Sequence, residues 1–476
     1  MKQIILLLNP PYAKSVIRDN YCCFTSKSNY IWPSIDLLVL SGILSKRFNI
    51  KVIDAVAEKL NVNECLEKIM TIKPDIAISL TGSATYIEDF KFFKVIDSNI
   101  KIRLFILGNI AVFKPKLMFD KLPFLEAILH NFTSKDIVKY ILGKKRQTTS
   151  ISYRTESGFK LGKINIQKGK NSFISYPIPR HELFSLEKYQ VPFMEQKPMT
   201  TVLTAFGCPF SCKFCVASRI NYRPRKIISI KKELDFLAKI GIKEFFFEDS
   251  TFNANKLYCE KLCKMMIGNK YSFSWSANIH SAFLDIPIAK LMMKAGCHTI
   301  HVGVENYSDA ILKDNLKATN RQKIFNAFSV AKEVGLNTLG YFIIGLPGET
   351  EESIQKTIDF SKKLNPTFAS FSIVTADYGT RMRKELIKNK LLDKTVKVFD
   401  SSGITNIKHN KIRKKELNTL LKISYIKFYL RPSKILEIMF LSIKNRIFIV
   451  NFIGALTMSI KMIFGLQEEH GVQVED

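Results

Sequence analysis

Gly207-Cys208-Pro209-Phe210-Ser211-Cys212-Lys213-Phe214-Cys215 decides how the rest of this chain is read. Three of the nine cysteines fall within eight residues, in the spacing CxxxCxxC. Thiolates select soft metals and iron–sulfur clusters. A structural zinc or an electron-carrying cluster takes four protein ligands, and no fourth cysteine follows closely. A four-iron cluster held by three thiolates keeps one iron open, and an open coordination position is where a metal site does chemistry. Zinc completed from elsewhere in the chain, or three core cysteines, are the other readings.

Working outward, the strands and helices alternate. After the apolar run Thr201–Phe206 come strand candidates at Glu244–Phe247, Ser272–Ala277, Thr299–Val304, Leu339–Ile344 and Phe368–Thr375. Helical stretches separate them, one with a capping box at Thr319 and Gln322, an apolar face of Ile324, Phe325, Phe328 and Ala331, and a stop at Gly335. Six such units predict a partial β/α barrel, whose site lies at the carboxyl ends of its strands. The cysteine stretch directly follows the first strand.

Upstream, apolar runs at Ile4–Leu8, Ile50–Ile53, Ile76–Leu80, Leu104–Leu107 and Ala127–Leu129 alternate with helical stretches around Ile35–Phe48, Cys65–Thr71, Ile87–Val95 and Lys116–Phe119. That pattern predicts a doubly wound, Rossmann-like parallel sheet over 1–145. Its first turn is Asn9-Pro10-Pro11-Tyr12, and Gly42 is the only glycine before Gly82, which argues against a dinucleotide fingerprint. Asp54 then reads as a strand-end cap. Residues 146–195 read as a linker with a small hairpin, Gln147–Arg154 with Leu161–Lys168. The barrel occupies 196–400, and 401–476 is a basic helical region.

The chain carries 72 Lys and Arg against 42 Asp and Glu, a net charge of +30. Such a balance suits an anionic partner, although the basic residues are spread along the chain. Nine cysteines in 476 residues are no disulfide framework, so a reducing compartment, the cytoplasm, is expected. The run Ile4–Leu8 is too short for a signal peptide. Ile447–Ile460, with Met462–Phe464 beyond Lys461, is apolar beside a stretch in which eleven Lys and Arg oppose only Glu416 and Glu437. Peripheral membrane contact through this region is one expectation, a packed helix another and a span a third.

The cysteine spacing, with Phe214 before the last cysteine, resembles the signature of the radical S-adenosylmethionine (SAM) superfamily. The resemblance implies a [4Fe–4S] cluster on Cys208, Cys212 and Cys215, with SAM chelated to the open iron and cleaved to a 5'-deoxyadenosyl radical. Other strand ends fit the same pattern. Glu248 and Asp249 close the second unit, where relatives contact the SAM amino group. Glu305, in Gly303-Val304-Glu305-Asn306, suits the ribose hydroxyls. Ile343 and Gly345, in Gly340–Thr350, resemble the GxxxGxPGET segment beside adenine. His280 stands where many relatives carry Arg. A low-potential electron donor such as flavodoxin or ferredoxin is implied.

The N-terminal layout resembles the cobalamin-binding domain fused to many radical SAM proteins. Asn9, Ser79, Thr81 and Gly108 look like the positions that cradle the corrin tail. Asn109 stands where a second glycine is expected. The DxHxxG motif is absent, and the first histidine is His130, so cobalamin is expected to lack a protein histidine on cobalt. The implied reaction is cobalamin-dependent methylation at an unactivated carbon or phosphorus of a small-molecule or lipid-like substrate. The alternatives are a cyclase or rearrangement enzyme, like the magnesium-protoporphyrin ester cyclases, and a non-catalytic scaffold. Nucleic acid is not expected, because methylthio-transferring relatives carry a second cysteine triplet in the N-terminal domain and this chain does not.

Overall fold

The protein is described by a computed structural model covering residues 2–444, apart from 20, 21, 29, 164–172 and 410. Five parallel strands build the N-terminal sheet in the spatial order Asn49–Asp54, Ile4–Asn9, Ile76–Leu80, Arg103–Leu107, Leu125–Leu129. Helices cover both faces, so Ile5–Leu8 and Ile76–Leu80 are buried throughout and read as continuous apolar runs rather than alternating ones. The order reverses between the first strand in sequence and Ile76–Leu80. In a doubly wound sheet that switch point is where a ligand crevice opens. The sheet continues past residue 145: Ile151–Thr155 pairs antiparallel with Leu125–Leu129, and Gly158–Lys160 completes the hairpin. The hairpin turns earlier than expected, and residues 164–168 of its expected second arm lie outside the described residues.

The second sheet has six parallel strands in sequence order: Met199–Val202, Glu244–Phe247, Ser274–Ile279, Cys297–Glu305, Asn337–Ile344 and Phe368–Ile373. This is the open barrel that the alternation predicts. One helix start differs. Asn320, not Thr319, caps Arg321–Val334 and accepts the Lys323 N–H at 2.9 Å; Thr319 instead meets Ser281 at 2.8 Å. Ala327 and Val334 join the buried face of that helix, whereas Phe325 is 47% exposed.

An open barrel leaves an edge strand whose backbone groups need partners. Helix Lys414–Tyr429 supplies them. The Tyr425 hydroxyl accepts the Phe371 N–H and donates to the Phe371 carbonyl, at 3.1 and 3.0 Å. Tyr429 treats Ala369 the same way, at 2.9 and 2.8 Å. At the other side the N-terminal domain closes the barrel. Trp32 packs edge-on against Phe246 of the second barrel strand, centroids 5.5 Å apart, and Thr201 donates to the Pro33 carbonyl at 2.9 Å. Ile5, Ile35, Phe206, Phe246 and Leu339 belong to one hydrophobic core that runs through both sheets. Among the described residues no helix is long and apolar enough to cross a membrane. Ile447–Phe464 lies outside them.

Candidate active site

The cysteine loop leaves the first barrel strand under tight control. The buried Asp249 carboxylate accepts the Thr204 and Ala205 N–H groups, at 2.6 and 3.1 Å, and the Thr204 hydroxyl. Gly207 then turns with φ +81, where a Cβ would stand 2.4 Å from the Asn221 carbonyl oxygen, so only glycine fits. Cys208 donates its N–H to the Ile220 carbonyl, Lys213 to that of Asn315, and Cys215 to that of Cys212. The loop is thus pinned by backbone bonds on either side of all three thiols.

Burial pushes the Cys212 and Cys215 thiols up to about 11, with neighbouring cysteines adding to the effect and Lys317 opposing it. Among the described residues, no three His, Cys, Asp or Glu side chains are grouped so as to hold a single ion. Three thiols held on one short, pinned loop suit a cube, in which each meets a different iron and the fourth iron stays open. The donor set therefore fits a [4Fe–4S] cluster.

Beside the loop stands a pair that the sequence reading found only in half. Glu305 ends the fourth barrel strand in the left-handed region, φ 61, just after a register slip between Gly303 and Glu305. Strain of this kind concentrates at functional sites. Its carboxylate receives the Lys317 ammonium at 2.6 Å. Burial disfavours the charge on Lys317, but the neighbouring Glu305 carboxylate, with Cys212 and Cys215 adding to it, outweighs burial and keeps the ammonium charged. Gly303 leaves room for the pair, since a Cβ there would lie 2.4 Å from the Glu305 carboxylate and 2.7 Å from Lys317 Nζ. His280 stacks on Phe210 of the cysteine loop at 4.3 Å, and burial pushes its ring down to about 3, so it is neutral. Lys317 brings a positive charge next to the thiols; it lies twelve residues beyond Glu305, past the short helix Asp309–Asp314, and nothing in its local sequence signals this place.

The remaining expected residues divide. Phe214 and Ile343 pack on one apolar group with Leu346, Val374 and Met382, adjoining the cysteine loop. Gly345 turns with φ 80. Glu349 of the Pro-Gly-Glu-Thr turn accepts Asn306 Nδ2 at 2.6 Å and the Leu346 N–H at 2.8 Å, tying the fourth strand end to the fifth. Asp249 is spent on holding the loop, and its carbonyl accepts Asn278 Nδ2 at 3.0 Å. Glu248 lies apart from this group. Buried against Trp32, Asp19 and Asp36, its carboxyl is pushed well up by burial and by the two aspartates.

A cavity of about 210 Å³ separates the cysteine loop from the N-terminal strand ends. Cys22, Cys23 and Phe24 line one side, Phe214 and Cys215 another, and Asp377 a third. The mouths of the two sheets therefore face each other. Asn109 spans them, donating to Asp377 Oδ2 at 2.9 Å while holding Ser83.

The four residues expected to cradle a corrin tail are all engaged within the chain. Asn9 donates to Asp54 and accepts from Arg18, at 2.8 Å each. Thr81 donates to Asp89 at 2.9 Å, Ser79 is fully buried and donates to the Leu80 carbonyl at 3.2 Å, and a Cβ on Gly108 would stand 1.8 Å from the Thr81 carbonyl oxygen. Asp54 also caps the helix that follows it, accepting the Ala57 N–H, as a strand-end cap should. In this conformation the polar side chains of these loops are satisfied within the chain.

The sequence of residues 202–361 matches the radical SAM superfamily. Over 426 residues the chain is 31% identical to an uncharacterized methyltransferase of Pyrococcus horikoshii, covering 86% of this chain and 90% of that protein. An anaerobic magnesium-protoporphyrin IX monomethyl ester cyclase of Rubrivivax gelatinosus is 24% identical over 370 residues, 72% of this chain and 64% of that protein. In fold, the chain is similar to the radical SAM methyltransferase TsrM of Kitasatospora setae, solved with cobalamin and a [4Fe–4S] cluster (TM-score 0.64, 17% identity, 85% of this chain and 77% of that one). The cobalamin-dependent radical SAM enzyme OxsB, solved with aqua-cobalamin and SAM, gives 0.66 at 17% identity, with 90% and 67% covered. The chain therefore belongs to the radical SAM superfamily of enzymes, which work with a [4Fe–4S] cluster and SAM, and within it to the architecture that joins the barrel to an N-terminal cobalamin-binding-type domain.

Proposed function

We propose that Cys208, Cys212 and Cys215 hold the cluster and that the enzyme directs radical chemistry at an unactivated carbon, or at phosphorus, of a small or lipid-like substrate in the cavity between its domains. The observation that carries this reading is the grouping of three cysteines on one pinned loop beside the Glu305–Lys317 pair. Lys317 suits the carboxylate of SAM and Glu305 its ribose hydroxyls, while Phe214 and Ile343 offer an apolar shelf for adenine. Bound there and given one electron, the cluster and SAM would supply a 5'-deoxyadenosyl radical able to take a hydrogen atom from a substrate. The chain's own part is to orient these groups and exclude water. The electron comes from a low-potential donor of the flavodoxin or ferredoxin type.

Methyl transfer is the outcome supported by the methyltransferase relatives, and its dependence on cobalamin by the fold shared with the methyltransferase TsrM and with the cobalamin-dependent enzyme OxsB. A second reading, bond formation without methyl transfer as in the cyclase relatives, is favoured by the filled N-terminal cleft. Anaerobic reconstitution followed by reduction in the presence of SAM tests both. Iron lost together in the triple Cys→Ala variant, and 5'-deoxyadenosine formed only by wild type, support the radical reading; bound zinc without iron sinks it. Accompanying S-adenosylhomocysteine marks methyl transfer, and its absence marks the second reading.

A further inference from the structure

The switch point of the N-terminal sheet is occupied by the chain itself. Arg18, on the short strand Val16–Arg18 that pairs with Cys23–Thr25, is 2% exposed. Its guanidinium reaches both sides of the crevice. Towards the end of the first strand it donates to Asn9 Oδ1 at 2.8 Å and to the Pro10 carbonyl at 2.9 Å. Towards the loop after Ile76–Leu80 it donates to Thr85 Oγ1 at 3.0 Å and pairs with Asp89 at 2.9 Å. Neither charge of that pair is exposed. Asp89 in turn gathers the hydroxyls of Thr81 and Thr85, at 2.9 and 2.7 Å. Cys23 covers the neighbouring backbone so closely that a Cβ on Gly82 would meet its sulfur at 2.2 Å.

Each of these groups is a polar atom that a ligand at a doubly wound switch point would address. Here every one is satisfied by Arg18 or by a partner of Arg18. A buried, fully hydrogen-bonded ion pair is costly to break one-sidedly, because the remaining charge is stranded.

We propose that Arg18 is a built-in occupant of the cofactor cleft, so that cobalamin is taken up by this protein only in competition with the Arg18–Asp89 pair. A ligand that has to displace such a pair loses on the order of a hundredfold or more in apparent affinity. The inference stands on the N-terminal domain alone and goes beyond the radical SAM reading, which is measured separately by iron content and 5'-deoxyadenosine.

The test uses the full-length, cluster-reconstituted protein and hydroxocobalamin. Wild type is compared with the double variant Arg18→Ala/Asp89→Asn, which empties the cleft without stranding a carboxylate, and with Arg18→Lys, which keeps the charge but not the forked contacts. Iron content equal to wild type shows that a variant is folded; should the double variant fail this, Arg18→Lys carries the comparison. Bound cobalamin is read from its absorbance after gel filtration over a concentration series, and amide exchange at Ile17–Asp19 reports whether Arg18 is dislodged. The expected result is an apparent Kd at least about a hundredfold lower in the double variant, an intermediate value in Arg18→Lys, and faster exchange at Ile17–Asp19 in wild type once cobalamin is forced on. Equal uptake by wild type and variants, whether one equivalent or none, overturns the proposal.

Discussion

Replacing Asp249 by Ala should detach the cysteine loop from the barrel. The carboxylate is fully buried and satisfies two backbone N–H groups, of Thr204 and Ala205, together with the Thr204 hydroxyl. Alanine leaves both N–H groups buried without a partner, at about 1–3 kcal/mol each. Part of the loss is returned because burial also raises the pKa of Asp249, to about 6, which shows that its ionised form is itself held at some cost. A net destabilisation of about 3 kcal/mol is expected. It falls on the residues immediately before Gly207, so the three thiols should lose their fixed spacing. Urea unfolding of the iron-free protein at pH 7.5 measures the first effect. Iron per chain after anaerobic reconstitution measures the second, with a drop to less than about half expected. Asp249→Asn keeps an acceptor for the N–H groups and should fall between. Full iron and a stability change under about 0.5 kcal/mol in Asp249→Ala would refute the view that this carboxylate positions the loop.

Three further outcomes follow from the same geometry. Lys317→Met should keep its iron but bind SAM about 10–100-fold more weakly, as measured by equilibrium dialysis, since one charge-assisted contact contributes about 1.5–3 kcal/mol. Glu349 has its carboxyl raised from 4.5 to about 7 by burial, so its contribution to folding is complete below about 4.5 and is lost as pH rises through about 7; between those pH values wild type should lose about 3 kcal/mol relative to Glu349→Gln in denaturant titrations. Tyr425→Phe/Tyr429→Phe removes four hydrogen bonds from the barrel edge and should speed amide exchange at Ala369 and Phe371 by at least about tenfold, with exchange at Phe245–Phe247 unchanged.

The parallel strands were legible because burial on both faces leaves an unbroken apolar run, as at Ile76–Leu80, which appears with the bounds expected from sequence. The cysteine loop was legible because its pattern is local: three cysteines in eight residues need no tertiary information. Lys317 was not, because its role depends on a fold that returns it to Glu305 across a short helix. Arg18 was less so still. A lone arginine between Ile17 and Asp19 gives no hint that it will be buried, and only the sheet order brings Asn9 and Asp89 to either side of it. The misplaced cap at Thr319 has a smaller cause: two adjacent cap-forming residues compete, and the Ser281 hydroxyl settles the choice by engaging Thr319.

Each half keeps an apolar cluster largely its own, but Phe206 and Phe246 share a further one with Ile5 and Ile35, so the seam between the halves is packed like an interior. Cutting the chain near residue 195 would expose Trp32 and Ile31 on one fragment and Phe246 and Leu339 on the other. The two halves should therefore melt in a single calorimetric transition, and neither should be obtainable alone in soluble form. A domain that has to open towards its neighbour would be expected to meet it across a seam without such packing. Here the relative placement of the cysteine loop and the N-terminal strand ends is fixed by the same packing that folds the chain, so substrate access is expected to depend on local loops rather than on swinging of one half against the other.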